Sequence, residues 1–211
     1  NRDVACPRGV RGLFDGAAQL WTDDFWGAPL SAPTSHLSYR PLTVLSFRLQ
    51  HALVGFQPRS FHVVNLILHA VATALCHAAA RTMLRTRSQA ALTALLFAVH
   101  AVHVECVANT VGRAELLSAI GFFSAVIVYQ RALCADSAPR VLGLVAASAA
   151  LSGAAMLCKE VGITALPLCT ALDALGLAAA LPCAPRAHSG RALRAFAARQ
   201  LVSAASAAAM M

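Results

Sequence analysis

An all-α protein that crosses a membrane several times is what this sequence predicts, and three observations carry the prediction. Hydrophobic residues fill 58% of the 211 positions and charged residues only 12%, against roughly a quarter charged in a soluble domain. Mean hydropathy is +0.65. The apolar residues fall in runs near 20 long, the length a helix needs to span a bilayer at about 1.5 Å per residue. A soluble domain is thereby excluded, and with it a soluble nucleic-acid binder, despite the net charge of +8. In a membrane chain such an excess marks cytoplasmic loops.

Residues 1–60 hold both tryptophans, many Pro, Gly and Ser, and no spanning run. After Pro41, the residues Leu42, Leu45, Leu49, Leu53 and Phe56 recur at helical spacing opposite Arg48 and His51. That pattern predicts a surface-lying amphipathic helix over about 41–56, with Pro in its first turn, where the missing N–H costs nothing. A helix packed in a lumenal domain is the alternative. The predicted bundle, residues 61–211, has spans at about 61–80, 89–108, 114–130, 141–157 and 161–180, and an incomplete one at 195–211. Alternate connections carry Arg81, Arg85 and Arg87, then Arg131 and Arg140, then Arg186, Arg191, Arg194 and Arg199. These three are expected on the cytoplasmic side, which puts residues 1–60 and the other connections on the lumenal or exterior side.

Neither end reads as a natural terminus: Asn1 opens no signal-peptide pattern and Met211 stands inside an apolar run, so a fragment of a longer chain is expected. Cys76, Cys106, Cys134, Cys158, Cys169 and Cys183 lack CxxC spacing and read as small apolar helix residues. Cys6 is free to pair outside the segment.

Acids are scarce enough that each asks for a reason. Asp3, Asp15, Asp23 and Asp24 come early, and Glu105, Glu115, Asp136, Glu160 and Asp173 are scattered beyond them. The adjacent Asp23 and Asp24 suit a divalent cation, a sugar hydroxyl or proton abstraction, although paired loop acids are more often merely solvated. Trp26 beside them fits either a sugar-stacking surface or an interface anchor. His100 and His103 share a helix face with Glu105 close by, but the spacing is not the zinc-binding HExxH, and a metal site is the minor reading. Arg113 and Glu115 open the next helix after Gly112, which is expected to relax the turn. They read as an interfacial ion pair or, for Arg113, as a planar fork for phosphate. Lys159, the only lysine, stands beside Glu160 on the side where cations are rare, which suggests a bound anion or an ordinary turn. His62, Asn65, His69 and Thr73 line one helix face and are expected to bond between helices.

The strings DDFWG, SHLSYRPLTVLSFRL, FHVVNLILHA, LLFAVHAVHVECVANTVGRAELLS and MLCKEVGIT follow one another over about residues 1–175. In order and interval they resemble the TMTC family, transmembrane protein O-mannosyltransferases of the endoplasmic reticulum that target cadherins. The resemblance implies a GT-C-like multi-pass fold with a large first lumenal loop. It also implies mannose transfer from dolichyl phosphate mannose to Ser or Thr of lumenal, cadherin-like proteins, with no cofactor beyond a divalent cation left open. Asp24, which matches the acid of the DFWG motif, and after it Asp23, at a more variable place, are the catalytic candidates that the resemblance implies within this segment, while the foremost candidate for the base is expected upstream of it. A further acidic pair is expected just upstream of Asn1, and tetratricopeptide repeats beyond Met211. Arg113 and Lys159, then Arg40, are the cations expected on the leaving phosphate, while His100, His103, Glu105, Glu115 and Glu160 line the same mouth. Ala101, Asn109 and Val161 stand where the family has Pro, Gly and Gln. The competing expectation is a non-catalytic membrane scaffold or lipid-binding pseudoenzyme.

Overall fold

Pro41 and Pro58 each occupy the first turn of a helix, and Thr86 closes a capping box with Gln89 at the start of a third. Such local signals set the element starts in the computed structural model, which describes residues 19–180 and 186–208. Asp3, Asp15, Cys6 and Cys183, with both chain ends, lie outside the described residues. After a single turn α1 (Gln19–Thr22) and a loop, the chain runs through α2 (Pro41–Val54), α3 (Pro58–Met83), α4 (Arg87–Val99) and α5 (His103–Ala108). It continues through α6 (Arg113–Leu133), α7 (Ala138–Cys158), α8 (Ala165–Ala180) and α9 (Arg186–Ala208). Short 3-10 turns at Thr110–Gly112 and Glu160–Thr164 lead into α6 and α8. Among the described residues no strand forms, only an isolated bridge from Asp23 to Pro29.

Four segments are long and apolar enough to cross a bilayer: Pro58–Met83, Thr110–Leu133, Ala138–Cys158 and Glu160–Leu177. The protein is an all-α, multi-pass membrane protein. Its centre is the antiparallel pair α6 and α7, where small residues let the backbones approach. Ser148 Oγ donates to the Ala125 carbonyl at 2.8 Å, and Ser152 Oγ to the Gly162 carbonyl at 3.1 Å. Gly162 lies so near Ala155 that a Cβ there would sit 2.3 Å from its carbonyl carbon. Outward, Val63, Leu66 and Ile67 of α3 and Leu92, Leu95 and Leu96 of α4 are exposed, as suits residues facing lipid.

Two expectations change. The run 89–108 is not one span, because α4 ends at Val99 after 13 residues, about 20 Å. At that break the Val102 N–H turns to His100 Nδ1 (3.2 Å), and the Ala98 carbonyl it would have met in a helix accepts from His69 Nε2 (3.1 Å). Two histidines thus satisfy the groups that the broken helix exposes. The helix expected to lie on the membrane surface over about 41–56 is α2, which turns its polar face onto the bundle and leaves most of its leucines outward. Thr43, Arg48 and Gln50 are buried, whereas Leu45, Leu49, Leu53 and Phe56 are exposed. The interior it meets is polar, since Thr43 Oγ1 donates to the Cys158 carbonyl at 2.9 Å. The second change is that the arginine-rich stretch 186–199 is helix rather than loop, and α9 starts nine residues before the expected 195. Arg199 packs inside against Asp173.

Candidate active site at the polar end of the bundle

Helix direction sorts the polar residues. The starts of α3 and α6, the ends of α4 and α7, and all of α5 meet at one end, joined there by Arg40 and α2. At this end a cavity of about 450 Å3 is lined by Arg40, His103, Glu105, Cys106, Asn109, Glu115 and Lys159, with Phe97 and Gly112 in its wall. Five of the ten residues singled out in the sequence therefore face one space, from segments up to 119 positions apart.

Its charges are arranged as pairs. Arg40 donates from Nε and Nη2 to the two carboxylate oxygens of Glu160, each at 3.2 Å. Lys159 pairs with Glu115. These contacts tie α2, α6 and the turn after α7 together across the mouth. Glu105 lines the cavity exposed, and no ion pair to a described residue involves it. His103 packs among the rings of His69 (centroids 5.1 Å), Phe97 (4.3 Å) and His100 (6.2 Å), tilted against the first two and edge-on to the third. Burial, then the neighbouring His69 and His100, hold its pKa below the ordinary value, so the ring favours its neutral form. No three His, Cys, Asp or Glu among the described residues are arranged to hold a metal.

Two expected site residues have other work. Arg113, 1% exposed, points into the protein. Its Nε donates to Asn65 Oδ1 (3.0 Å) and its Nη2 to Gln50 Oε1 (2.6 Å), while the guanidinium lies over Phe47 (4.4 Å) and Phe61 (5.4 Å). That cage joins α2, α3 and α6 behind the cavity, so Arg113 supports the site instead of presenting its fork to a phosphate. Asp24 is equally occupied. One carboxylate oxygen accepts from the Trp26 and Ala28 N–H groups at 2.9 Å, and the other from Ser35 Oγ (2.8 Å) and the His36 N–H (3.0 Å). Burial alone would raise its pKa, but the bonds from Ala28, Ser35, His36 and Trp26 outweigh it and hold the carboxyl below the usual range. With both oxygens committed to folding the loop, Asp24 is a staple and not a free base. Asp23 beside it accepts from Thr22 Oγ1 at 3.2 Å.

Gly112 also works differently from expectation. Its φ of −62° is ordinary, and what requires glycine is space: a Cβ would lie 2.6 Å from Cys106 Cα. Gln50, Phe47 and Phe61, the cage of Arg113, escaped the sequence reading because residues so far apart in the chain give no local sign of meeting. Asn65 was flagged only as a bonding residue on its helix. It also donates from Nδ2 to the Asn109 carbonyl at 3.2 Å, which fixes the turn at the cavity wall.

The residues of this end fall within the strings that resemble the TMTC family. Over 161 residues, 73% of this chain, the sequence is 45% identical to the mouse protein O-mannosyl-transferase TMTC1. The chain belongs to the TMTC family. Drosophila Tmtc1 is 45% identical over 158 residues, 75% of the chain, and human TMTC3 is 43% identical over 150 residues, 71% of it. The chain spans only 17%, 18% and 16% of those three TMTC proteins. No family profile and no solved structure matches it.

Proposed function

We propose that this chain contributes the membrane-face active site of a protein O-mannosyltransferase, as the names of its TMTC relatives indicate. The donor is dolichyl phosphate mannose, the acceptor a Ser or Thr hydroxyl of a lumenal, cadherin-like protein, and the compartment the endoplasmic reticulum. The observation that carries the reading is the cavity into which Arg40, Lys159, Glu105, Glu115 and His103 converge. It lies at the ends of the spanning helices, where an isoprenoid tail can stay in hydrocarbon while its sugar reaches water.

In the transfer, the acceptor oxygen bonds to the anomeric carbon as the bond from that carbon to the phosphate oxygen breaks. The electron pair leaves on dolichyl phosphate, and the hydroxyl proton passes to a carboxylate. Lys159 and Arg40 stabilise the charge growing on the phosphate by turning from Glu115 and Glu160, a type of contribution that often dominates catalysis. Glu105 and neutral His103 orient the acceptor hydroxyl. Because Asp24 is committed to its loop, the proton acceptor is Glu105 or an acid supplied by the longer chain.

The test is mannose transfer by purified full-length protein to a cadherin domain. Lys159→Met should lower kcat by about 100-fold. Transfer by Lys159→Met at the unsubstituted rate would remove lysine from the mechanism, and no transfer by the unsubstituted protein would favour the scaffold reading.

A further inference from the structure

At the opposite end of the bundle a second cavity, about 510 Å3, opens between the end of α3, the end of α6 and the start of α7. Arg131 and Arg140 line it together with Gln130 and Leu144. Neither arginine makes an ion pair or a side-chain hydrogen bond with a described residue, in contrast to the paired cations of the first cavity. Arg140 is also placed against its helix: it stands in the first turn of α7, where the dipole disfavours a cation. Ser137 leaves that turn without a side-chain cap, so the Ala138 and Arg140 N–H groups have no cap; Pro139 has none to offer, and the Val141 N–H meets the Ser137 carbonyl at 3.0 Å. Nearby Arg81, Arg85 and Arg87 add positive charge, and Asp136 is the one acid in these two connections. Both arginines are exposed at the rim of this concave space, as charges on the cytoplasmic side are expected to be, and the cavity between them is what sets them apart from the other loop arginines.

We propose that this cavity binds the phosphate headgroup of an anionic glycerophospholipid. Three spanning segments reach their ends here, which sets the cavity at headgroup depth. Arg131 and Arg140 close on the phosphate from the two sides of the α6–α7 connection, and Gln130 donates to its oxygens or to the glycerol. Leu144, a turn further along α7, continues the wall toward the hydrocarbon and meets the start of an acyl chain. The site is independent of the transfer reaction, being at the other end of the same helices, and it clamps the α6–α7 pair that forms the centre of the bundle.

The experiment uses the full-length protein in nanodiscs of phosphatidylcholine with and without phosphatidylglycerol, reading lipid retained on the protein by native mass spectrometry. Selective retention of phosphatidylglycerol is expected. It should fall about fivefold for Arg131→Gln or Arg140→Gln, and about 25-fold for the pair. Arg85→Gln with Arg87→Gln, outside the cavity, should leave most of it. An equal loss in that control would mean a diffuse surface field and would overturn the site, as would equal retention of the two lipids. Inorganic phosphate at millimolar concentration should not displace the lipid; if it does, the cavity is a site for the free ion. A paired Arg→Lys variant guards against misfolding, since it keeps the charge and should retain more lipid than the Gln pair. Retention no better than that of the Gln pair, in Lys variants that melt like the unsubstituted protein, would also count against a charge-based site.

Discussion

Two arginines turned into the protein, Arg113 fully buried and Arg199 partly so, are accommodated in different ways. Arg199 of α9 meets a full counter-charge, with Nε and Nη2 each 2.8 Å from an oxygen of Asp173, and Tyr129 and Gln200 complete the network. Arg113 at the polar end has no carboxylate in its cage, which is built of two amide oxygens and two aromatic faces. The difference teaches how the chain uses its few acids. Near the middle of the bundle a charge is neutralised outright, because an unpaired ion in a low-dielectric interior is costly. At the polar end neutral oxygens and ring quadrupoles suffice, which leaves Glu105 and Glu115 to line the cavity and Glu160 to pair with Arg40 at its mouth.

The sharpest break in that comparison is removal of a counter-charge. Asp173→Ala should destabilise the protein by about 3–5 kcal/mol, measured by thermal unfolding in mild detergent, since it strands a partly buried guanidinium. Adding Arg199→Gln should recover much of the loss. Arg113→Met should cost about 3 kcal/mol, by stranding the Gln50 and Asn65 oxygens. No single acid-removing partner substitution should rescue it, because no carboxylate is left behind. Gly112→Ala should cost about 1–3 kcal/mol, as α5 must back away from the new methyl group.

Acid should act locally on the loop stapled by Asp24. Its pKa is lowered in the fold, so its contribution is whole above the unfolded value near 3.8 and is lost as pH falls below that. Trp26 fluorescence should shift in that range while helical circular dichroism holds. The smallest change in stability is expected for Arg40→Gln. Its partner Glu160 is 56% exposed, so the pair is worth at most about 1 kcal/mol and should weaken with salt. A larger loss would mean that the mouth, like the Asp173 network, is held by its charges.

Much of this was legible beforehand for identifiable reasons. Long apolar runs and proline starts are local signals, and they located α3, α6, α7 and α8. Lys159 and Glu105 stood out because charges are rare in this chain. What misled was the same kind of local signal read too far. The apolar run through His100 hid a helix break made possible by His69, a residue on another helix. The amphipathic pattern of α2 separated its two faces and left open what the polar one would meet. DFWG drew attention to Asp24, but an acid adjacent to another in sequence does not reveal that four donors will fold back onto it.

The sequence by itself determined that the protein is helical and membrane-spanning, and which charges are too costly to be incidental, because hydrophobic length and charge scarcity are summed along the chain. Only the tertiary structure decided what those charges do. It turned Arg113 and Asp24 into structural centres, paired Lys159 with Glu115 and Arg40 with Glu160, and assigned the open cavity to residues far apart in sequence. The physical reason is that a charged group's role depends on which donors, acceptors and rings surround it, and here those partners come from other helices or from the folded-back loop.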